Sequence, residues 1–161
     1  MPRQAGSCLS CQTLELSRMK VAAFLFALAA VTVPAYSADV IAELSRRSHI
    51  SQPELNELLS DCTRHQLSMN ICAFRDFIAA DLEMQTVLSS KLSMLPKRCH
   101  STIEKRQARW EEARDLRCNK EADAEAEGGS MRPMIYSGCR TEATMARVAL
   151  ITKVPSCAKV P

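Results

Sequence analysis

The sequence has little net charge and no long block of one sign, although 24% of its residues are charged. It contains 21 Lys and Arg residues against 18 Asp and Glu residues. A chain so balanced has no strong electrostatic attraction for nucleic acid or anionic lipid, and its basic residues alternate with acidic ones. Nucleic acid is therefore not an expected partner.

Patterns typical of enzymes and metal proteins are also missing. The single Gly-Gly pair follows a predicted helix instead of preceding one, so it is not a phosphate-binding loop. Cys62 lies near His65, but the other histidines are scattered and supply no second pair of zinc ligands. The neighbours His100 and Ser101 do not provide a nucleophile, an oriented base and an oxyanion site together. We therefore predict no catalytic residue, no cofactor, no metal site and no enzymatic activity.

Long apolar runs are absent except near the N-terminus. Lys20 is followed by an apolar run at residues 21–33 and then by small residues, as in a secretory signal peptide. This run is shorter than the roughly 20 residues of a transmembrane helix. We predict cleavage after Ser37 and a natural start at Met19, which makes residues 1–18 an extended n-region or an artefact of an upstream start codon. The mature chain, with a charge close to +1 from 18 basic and 17 acidic residues, is expected to be periplasmic or secreted without stable membrane insertion.

Hydrophobic periodicity in the mature chain predicts helices. A capping box with an early proline predicts a short helix over residues 52–59. Apolar residues three or four apart predict a long amphipathic helix over residues 67–95, stopped by Pro96. A second capping box opens a helix over residues 101–127, and a last helix runs from about residue 134 to just before Pro155. Because no alternating strand pattern competes, we predict an all-α bundle of three main helices with a short N-terminal accessory helix.

Cysteine is plentiful, and six cysteines remain after the predicted cleavage: Cys62, Cys72, Cys99, Cys118, Cys139 and Cys157. An even number in a small exported chain indicates disulfides, with fifteen possible pairings. In a helical hairpin that turns at Pro96, Cys72 and Cys118 lie at nearly the same height, which favours a disulfide between them. The course of the last helix and of the chain after it favours two further pairs. The predicted disulfides are Cys72–Cys118, Cys62–Cys139 and Cys99–Cys157.

Several short motifs occur in a characteristic order. They are Met69-Asn70-x-Cys72-Ala73, Ala80-Asp81, Gln107-x-x-Trp110-x-x-x-Arg114-Asp115-x-x-Cys118, Glu127-Gly128-Gly129-Ser130, and Cys139 followed by Thr144-x-x-Arg147. On these motifs, residues 62–151 resemble the LprI-like family, the N-terminal domain of the lysozyme inhibitor LprI. The resemblance implies a small, helical, disulfide-bonded, exported protein that inhibits lysozyme.

With that resemblance, the chain divides into four parts. Residues 1–37 are the signal peptide with its N-terminal extension, residues 38–60 an accessory segment, residues 61–154 the LprI-like helical domain and residues 155–161 a C-terminal tail. Some positions depart from the family pattern: Glu111 and Ala113 stand where apolar or aromatic residues are common, and Cys99 and Cys157 are additions. Family resemblance therefore supports the fold more strongly than the activity.

Two groups of residues have both a functional and a structural interpretation. The carboxylates of Glu121, Asp123, Glu125 and Glu127 lie near a helix C-terminus, where the macrodipole disfavours negative charge. They form a solvated helix face or, together with Gly128, Gly129 and Ser130, a binding surface for a cationic lysozyme. Trp110, Arg114 and Asp115 have the residue types of a binding hot spot, but we expect a core tryptophan and two residues that brace neighbouring helices.

The lead functional prediction is an exported protein that blocks lysozyme by occluding its cleft. The alternative is an envelope protein with a structural or adaptor role and no inhibitory activity.

Overall fold

The computed structural model describes residues 36–153, which form five α-helices and, over that range, no β-strand. The helices are α1 (Tyr36–Ser48), α2 (Gln52–Leu59), α3 (Gln66–Ser93), α4 (Lys97–Ala126) and α5 (Arg132–Lys153). The all-α prediction is confirmed. None of the described helices is long and apolar enough to cross a membrane. The predicted signal peptide, apart from Tyr36 and Ser37, and the predicted C-terminal tail lie outside the described residues.

Helix α1 was not predicted, whereas the bounds of α2 agree with the prediction. Among residues 39–48 of α1, whose burial the structure describes, only Val40 and Leu44 are buried, so the apolar stripe there is too short to stand out in the sequence. They join Leu55 and Leu58 of α2 in a hydrophobic cluster that includes Phe77 of α3. The two short helices therefore cover the N-terminal half of α3.

Charged side chains also stabilise α1 and attach it to α3. The Glu43 carboxylate accepts hydrogen bonds from Arg46 (2.7 and 2.6 Å) and from Arg47 (2.6 Å), and these lower the pKa of Glu43 to about 2. Arg47 in turn donates to Asp81 of α3 at 2.8 Å. Because basic residues in the last turn also complement the helix dipole, the charge pattern favours both the helix and its docking.

Helix α4 starts earlier than predicted. The second capping box predicted a start at Ser101, but Pro96 occupies the N-cap position and the helix begins at Lys97. Proline lacks an amide hydrogen, so it leaves no unsatisfied donor there. The early turn also lets Cys99 and Ile103, four residues apart, bury one face against Leu88 and other leucines of the α3–α4 turn.

Helix α5 packs against both α3 and α4, and the backbones of α3 and α4 lie farther from each other than from α5. Their side chains still meet across this wider gap, as Gln107 of α4 contacts Met84 of α3. Larger side chains therefore separate the two arms of the predicted hairpin, and α5 fills one side of the space between them.

Two of the three predicted cysteine pairs are wrong, and the third is not tested. The structure joins Cys62 to Cys72 and Cys118 to Cys139, with Cα–Cα distances of 5.8 and 5.6 Å, so neither Cys72–Cys118 nor Cys62–Cys139 forms. Equal height along two helices does not specify which face a residue occupies. Cys118 faces α5, and the loop before α3 turns Cys62 back onto the first turns of that helix. Cys99 is also disulfide-bonded, and its predicted partner, Cys157, lies outside the described residues.

Candidate functional site

A layer of polar side chains is buried at the centre of the α3–α4–α5 bundle. It consists of residues exposed by at most 6%: Asp81, Gln107, Arg114, Thr144 and Arg147. On α4 the two members lie seven residues apart, between the buried residues Ile103 and Cys118. The buried face of α4 is therefore interrupted by polar groups, and each of these groups needs a partner inside the protein.

Arg114 is the central member of this layer. Its Nη1 donates a hydrogen bond to Thr144 Oγ1 (3.0 Å), and its Nε donates to Asp115 Oδ1 (2.8 Å). Asp81 Oδ1 lies 3.8 Å from Arg114 Nη1, while its other oxygen accepts from Arg47 and from Gln85. The predicted bracing role of Arg114 is thus confirmed, because its side chain links α4 to both α3 and α5.

Gln107 makes the second link across the layer. Its Oε1 accepts a hydrogen bond from Arg147 Nε (3.1 Å), and its Nε2 donates to Glu111 Oε1 (2.9 Å) and lies 3.2 Å from Met84 Sδ. Burial lowers the pKa of Arg147, although an arginine remains protonated in proteins. One nitrogen of that guanidinium, Nη2, is buried without a hydrogen-bond partner among the described residues.

Guanidinium groups and aromatic rings alternate across the bundle. Successive charge-to-centroid distances are 4.8, 3.5, 5.2, 5.1 and 5.1 Å. The members of this arginine–aromatic ladder are, in order, Tyr136, Arg140, Phe77, Arg114, Trp110 and Arg147. Each contact is an attraction between a cation and the negative face of a ring, which is stronger where water is excluded. Three arginines can therefore lie close together within the bundle, because each guanidinium is in contact with at least one aromatic ring.

Asp115 lies between two of these arginines. Its Oδ1 accepts from Arg114 and lies 3.1 Å from Arg140 Nε, which is close enough for an ion pair although the N–H is not aligned for a hydrogen bond. Burial lowers the pKa of Arg140, and the charge of Asp115 opposes that shift. The second residue predicted to brace the helices therefore does so by holding α4 and α5 together.

Arg140 was not predicted to lie in the bundle, because the prediction of α5 rested on the apolar residues of that segment. Of those, Ala146 and Leu150 are exposed. The face of α5 directed into the bundle instead contains Ser137, Arg140 and Thr144, three or four residues apart. Polar residues at helical spacing are a weak signal in a sequence, since the same spacing also occurs on solvated faces.

The four carboxylates at the end of α4 do not share one face. Glu121 and Glu125 lie four residues apart on the same side, whereas Asp123 is about 200° around the helix axis from Glu121. Asp123 pairs with Arg132 of α5, with an O–N distance of 2.6 Å. Glu121 lies 3.4 Å from the disulfide sulfur of Cys139, which has no hydrogen to donate. Glu125 is exposed and has no ion pair within the described part of the chain.

The loop after α4 is built from two left-handed residues. Glu127 (φ 46°) and Gly128 (φ 81°) both have positive φ, and Gly129 N donates to Ala126 O at 2.7 Å. Such a conformation ends a helix at low cost when glycine follows. Ser130 then accepts a hydrogen bond through its carbonyl oxygen from Asn70 Nδ2 (3.1 Å), which ties the loop to α3. Its predicted role in partner binding remains a prediction.

Residues 60–150 match the protein family described as "Lysozyme inhibitor LprI". An uncharacterized protein of Rhizobium meliloti (strain 1021), R02472, is 32% identical over 117 residues, which cover 63% of this chain and 80% of that protein. No solved structure matches. The matched region contains both described disulfides, the buried polar layer and the arginine–aromatic ladder.

Proposed function

From the premise that the chain belongs to the lysozyme inhibitor LprI family, we propose that it is an exported binding protein that inhibits a lysozyme by occluding its cleft. The observation that carries the proposal is the family match over residues 60–150. The disulfides support export, because such bonds form and persist in oxidising compartments outside the cytosol. An exported protein would also meet lysozyme where that enzyme acts.

Binding is favoured over catalysis by the way the motif residues are used. The polar groups of Gln107, Arg114 and Thr144 form hydrogen bonds between α4 and α5. A general base or nucleophile must instead reach a substrate with a free group. We therefore assign these motifs to the framework of the inhibitor and place the contact with lysozyme on its surface.

The surface proposed for docking comprises Glu121, Glu125, Glu127 and the Gly128–Ser130 loop. The three glutamates are exposed, and the adjoining Met131 is 48% exposed. An exposed apolar side chain beside unpaired carboxylates suits a partner whose surface has an apolar patch surrounded by basic residues. Opposite charges speed the association of the two proteins, and the apolar contact slows their dissociation. A cationic lysozyme has that chemistry.

This surface is held in place before any partner binds. The Cys118–Cys139 disulfide joins α4 to α5 beneath it, and the ion pair of Asp123 with Arg132 lies beside it. A surface that does not have to be ordered on binding loses less conformational entropy. Such rigidity is an advantage for an inhibitor that must fill a preformed cleft.

The inhibition assay tests the proposal directly. Purified oxidised protein is added to lysozyme at stoichiometric dose, and the lysis of a peptidoglycan suspension is followed by turbidity. We expect slower lysis, with the effect lost after reduction and alkylation of the disulfides. Unchanged lysis at several-fold excess over each lysozyme class tested would contradict inhibition and favour the structural or adaptor role.

Charge reversal tests the docking surface. The triple variant Glu121→Lys, Glu125→Lys and Glu127→Lys should require at least about tenfold more protein for half inhibition in low salt, and the difference should shrink as salt screens the charges.

A matched control triple changes exposed glutamates elsewhere, namely Glu83→Lys, Glu104→Lys and Glu112→Lys, and alters the net charge equally. We expect it to retain most of the inhibition. Equal weakening by both triples would indicate a net-charge effect and would contradict docking at this surface.

A further inference from the structure

A groove of about 320 Å³ runs along the surface between α4 and α5. Its walls contain two lines of residues, one on each helix, at steps of three or four along the chain. The line on α4 contains Trp110, Ala113 and Arg117, and the line on α5 contains Ala143, Ala146 and Leu150. The α4–α5 groove is therefore elongated and follows the two helices.

The middle of the α4–α5 groove is apolar and open to solvent. Ala113 and Ala146 are exposed, Leu150 is 49% exposed, and Trp110 and Ala143 are partly exposed. The short side chains of the alanines leave the space between the larger residues unfilled. Because covering apolar surface is favourable, the groove suits apolar side chains of another protein.

The two arginines in the walls do not make the groove strongly positive. Arg117 Nη2 and Glu121 Oε2 both approach Cys139 Sγ, at 4.0 and 3.4 Å, so these two charges lie close together. Burial lowers the pKa of Arg147, and the negative charge of Glu111 opposes that shift. Each arginine therefore has a carboxylate near it, and the groove does not repel a basic protein.

The α4–α5 groove continues into the proposed docking surface. Glu121 follows Arg117 by four residues and extends the line on α4, and Glu125 extends it by one more turn. The Cys118–Cys139 disulfide holds the two helices together where the groove meets these glutamates. A single partner can therefore cover both the glutamates and the groove.

We propose that the α4–α5 groove receives apolar side chains of the lysozyme that docks on the adjoining glutamates. This inference rests on the proposed function, because it concerns the same partner. The clefts of enzymes are lined mainly by hydrophobic and aromatic side chains, so a protein that occludes a lysozyme cleft meets such side chains. The glutamates then speed association, and the apolar contact in the groove slows dissociation.

Filling the groove tests the proposal. Ala113→Gln and Ala146→Gln each place a larger, uncharged side chain at an exposed helical position, where glutamine is well tolerated. We expect each variant of the full oxidised protein to require about tenfold more protein for half inhibition of lysozyme. The matched control, Ala108→Gln, changes an exposed alanine about 140° around the axis of α4 from Ala113 and should inhibit like the wild type. Circular dichroism verifies that each variant is folded.

Salt distinguishes the groove from the glutamates. Salt screens charges but not apolar contacts, so the loss caused by Ala113→Gln should be about the same in low and high salt. Leu150→Ser, which removes an apolar wall, should weaken inhibition about fivefold. Its control is Met94→Ser, at a 68% exposed methionine that follows α3 and does not line the groove, and this variant should retain full inhibition.

The possible results separate this proposal from the proposed function. Wild-type protein that inhibits no lysozyme would contradict both. Wild-type inhibition that is unchanged in Ala113→Gln, Ala146→Gln and Leu150→Ser would leave the proposed function standing and overturn the role of the groove. A dimer of the protein alone that Ala113→Gln abolishes, measured by analytical ultracentrifugation, would assign the groove to a second copy of the chain and would also overturn the proposal.

Discussion

The buried pair of Arg114 and Asp81 allows a quantitative test of the polar layer. Arg114→Met keeps the apolar stem of a side chain that is 4% exposed and removes its charge. The hydroxyl of Thr144 then lacks its donor, which costs about 1–3 kcal/mol. Loss of the stacking on Phe77 and Trp110 adds roughly 1–2 kcal/mol at a desolvated site, while the half-exposed Asp115 adds less than about 1 kcal/mol. We expect a total loss of about 3–5 kcal/mol.

A double-mutant cycle with Asp81→Asn isolates the charge pair. Two unit charges 3.8 Å apart attract by about 4 kcal/mol at an effective dielectric constant of about 20. The distance is too long for a hydrogen bond, and Arg47 continues to neutralise Asp81, so we expect a coupling energy of about 1–2 kcal/mol. Urea unfolding followed by helical circular dichroism measures it, since urea, unlike guanidinium chloride, does not screen charges.

The control for this cycle is Arg109→Met, an exposed substitution on the same helix that should change stability by less than about 0.5 kcal/mol. If Arg114→Met cost no more than this control, the assignment of the buried arginine to the stability of the bundle would be refuted. A coupling energy near zero with a large single-site loss would limit the role of Arg114 to its contacts with Thr144 and the two rings.

Two further predictions concern α1 and the disulfides. Hydrogen bonds from Arg46 and Arg47 lower the pKa of Glu43 from 4.5 to about 2, so its stabilising contribution is complete above about pH 5 and is lost as the pH falls through 4.5 toward 2. Urea midpoints of the wild type should therefore exceed those of Glu43→Gln at neutral pH and converge with them near pH 2; a constant difference would contradict the shift. Replacing both Cys118 and Cys139 by Ala should cost about 3 kcal/mol, because the loop they close spans 21 residues. The other disulfide closes a loop of 10 residues and should contribute slightly less in the same assay.

Much of the fold was predictable because local physics specifies it. The bounds of α2 were predicted from capping-box spacing and an early proline, and the proline is in the first turn, although Ser51 makes no side-chain capping hydrogen bond. Helix α3 was predicted from apolar residues three or four apart. In contrast, residues 39–48 of α1 have too few buried positions to reveal a stripe, and the packing of this helix depends on contacts such as Arg47 with Asp81. The start of α4 was misjudged because Ser101 has good capping chemistry, whereas burial of Cys99 and Ile103 favours the earlier turn.

The site was less predictable than the fold. Motif residues including Gln107, Arg114 and Thr144 were identified, but their partners on other helices could not be, since those contacts join residues distant in sequence. Arg140 was missed because a sequence does not distinguish an arginine that is stacked on Phe77 from one that faces solvent. The acidic residues were found by composition alone, and the structure then separated Asp123, which is paired, from Glu125, which is not.

The sequence by itself determined that residues 36–153 are helical, that the cysteines in this part of the chain form disulfides and to which family the protein belongs, because helix periodicity and motif order are properties of the chain. Only the tertiary structure decided which cysteines pair and which arginines are buried. Those outcomes depend on the rotation of each helix about its axis and on the position of α5 against α3 and α4. Neither quantity has a signature in the local sequence, since both follow from how complete helix faces fit together.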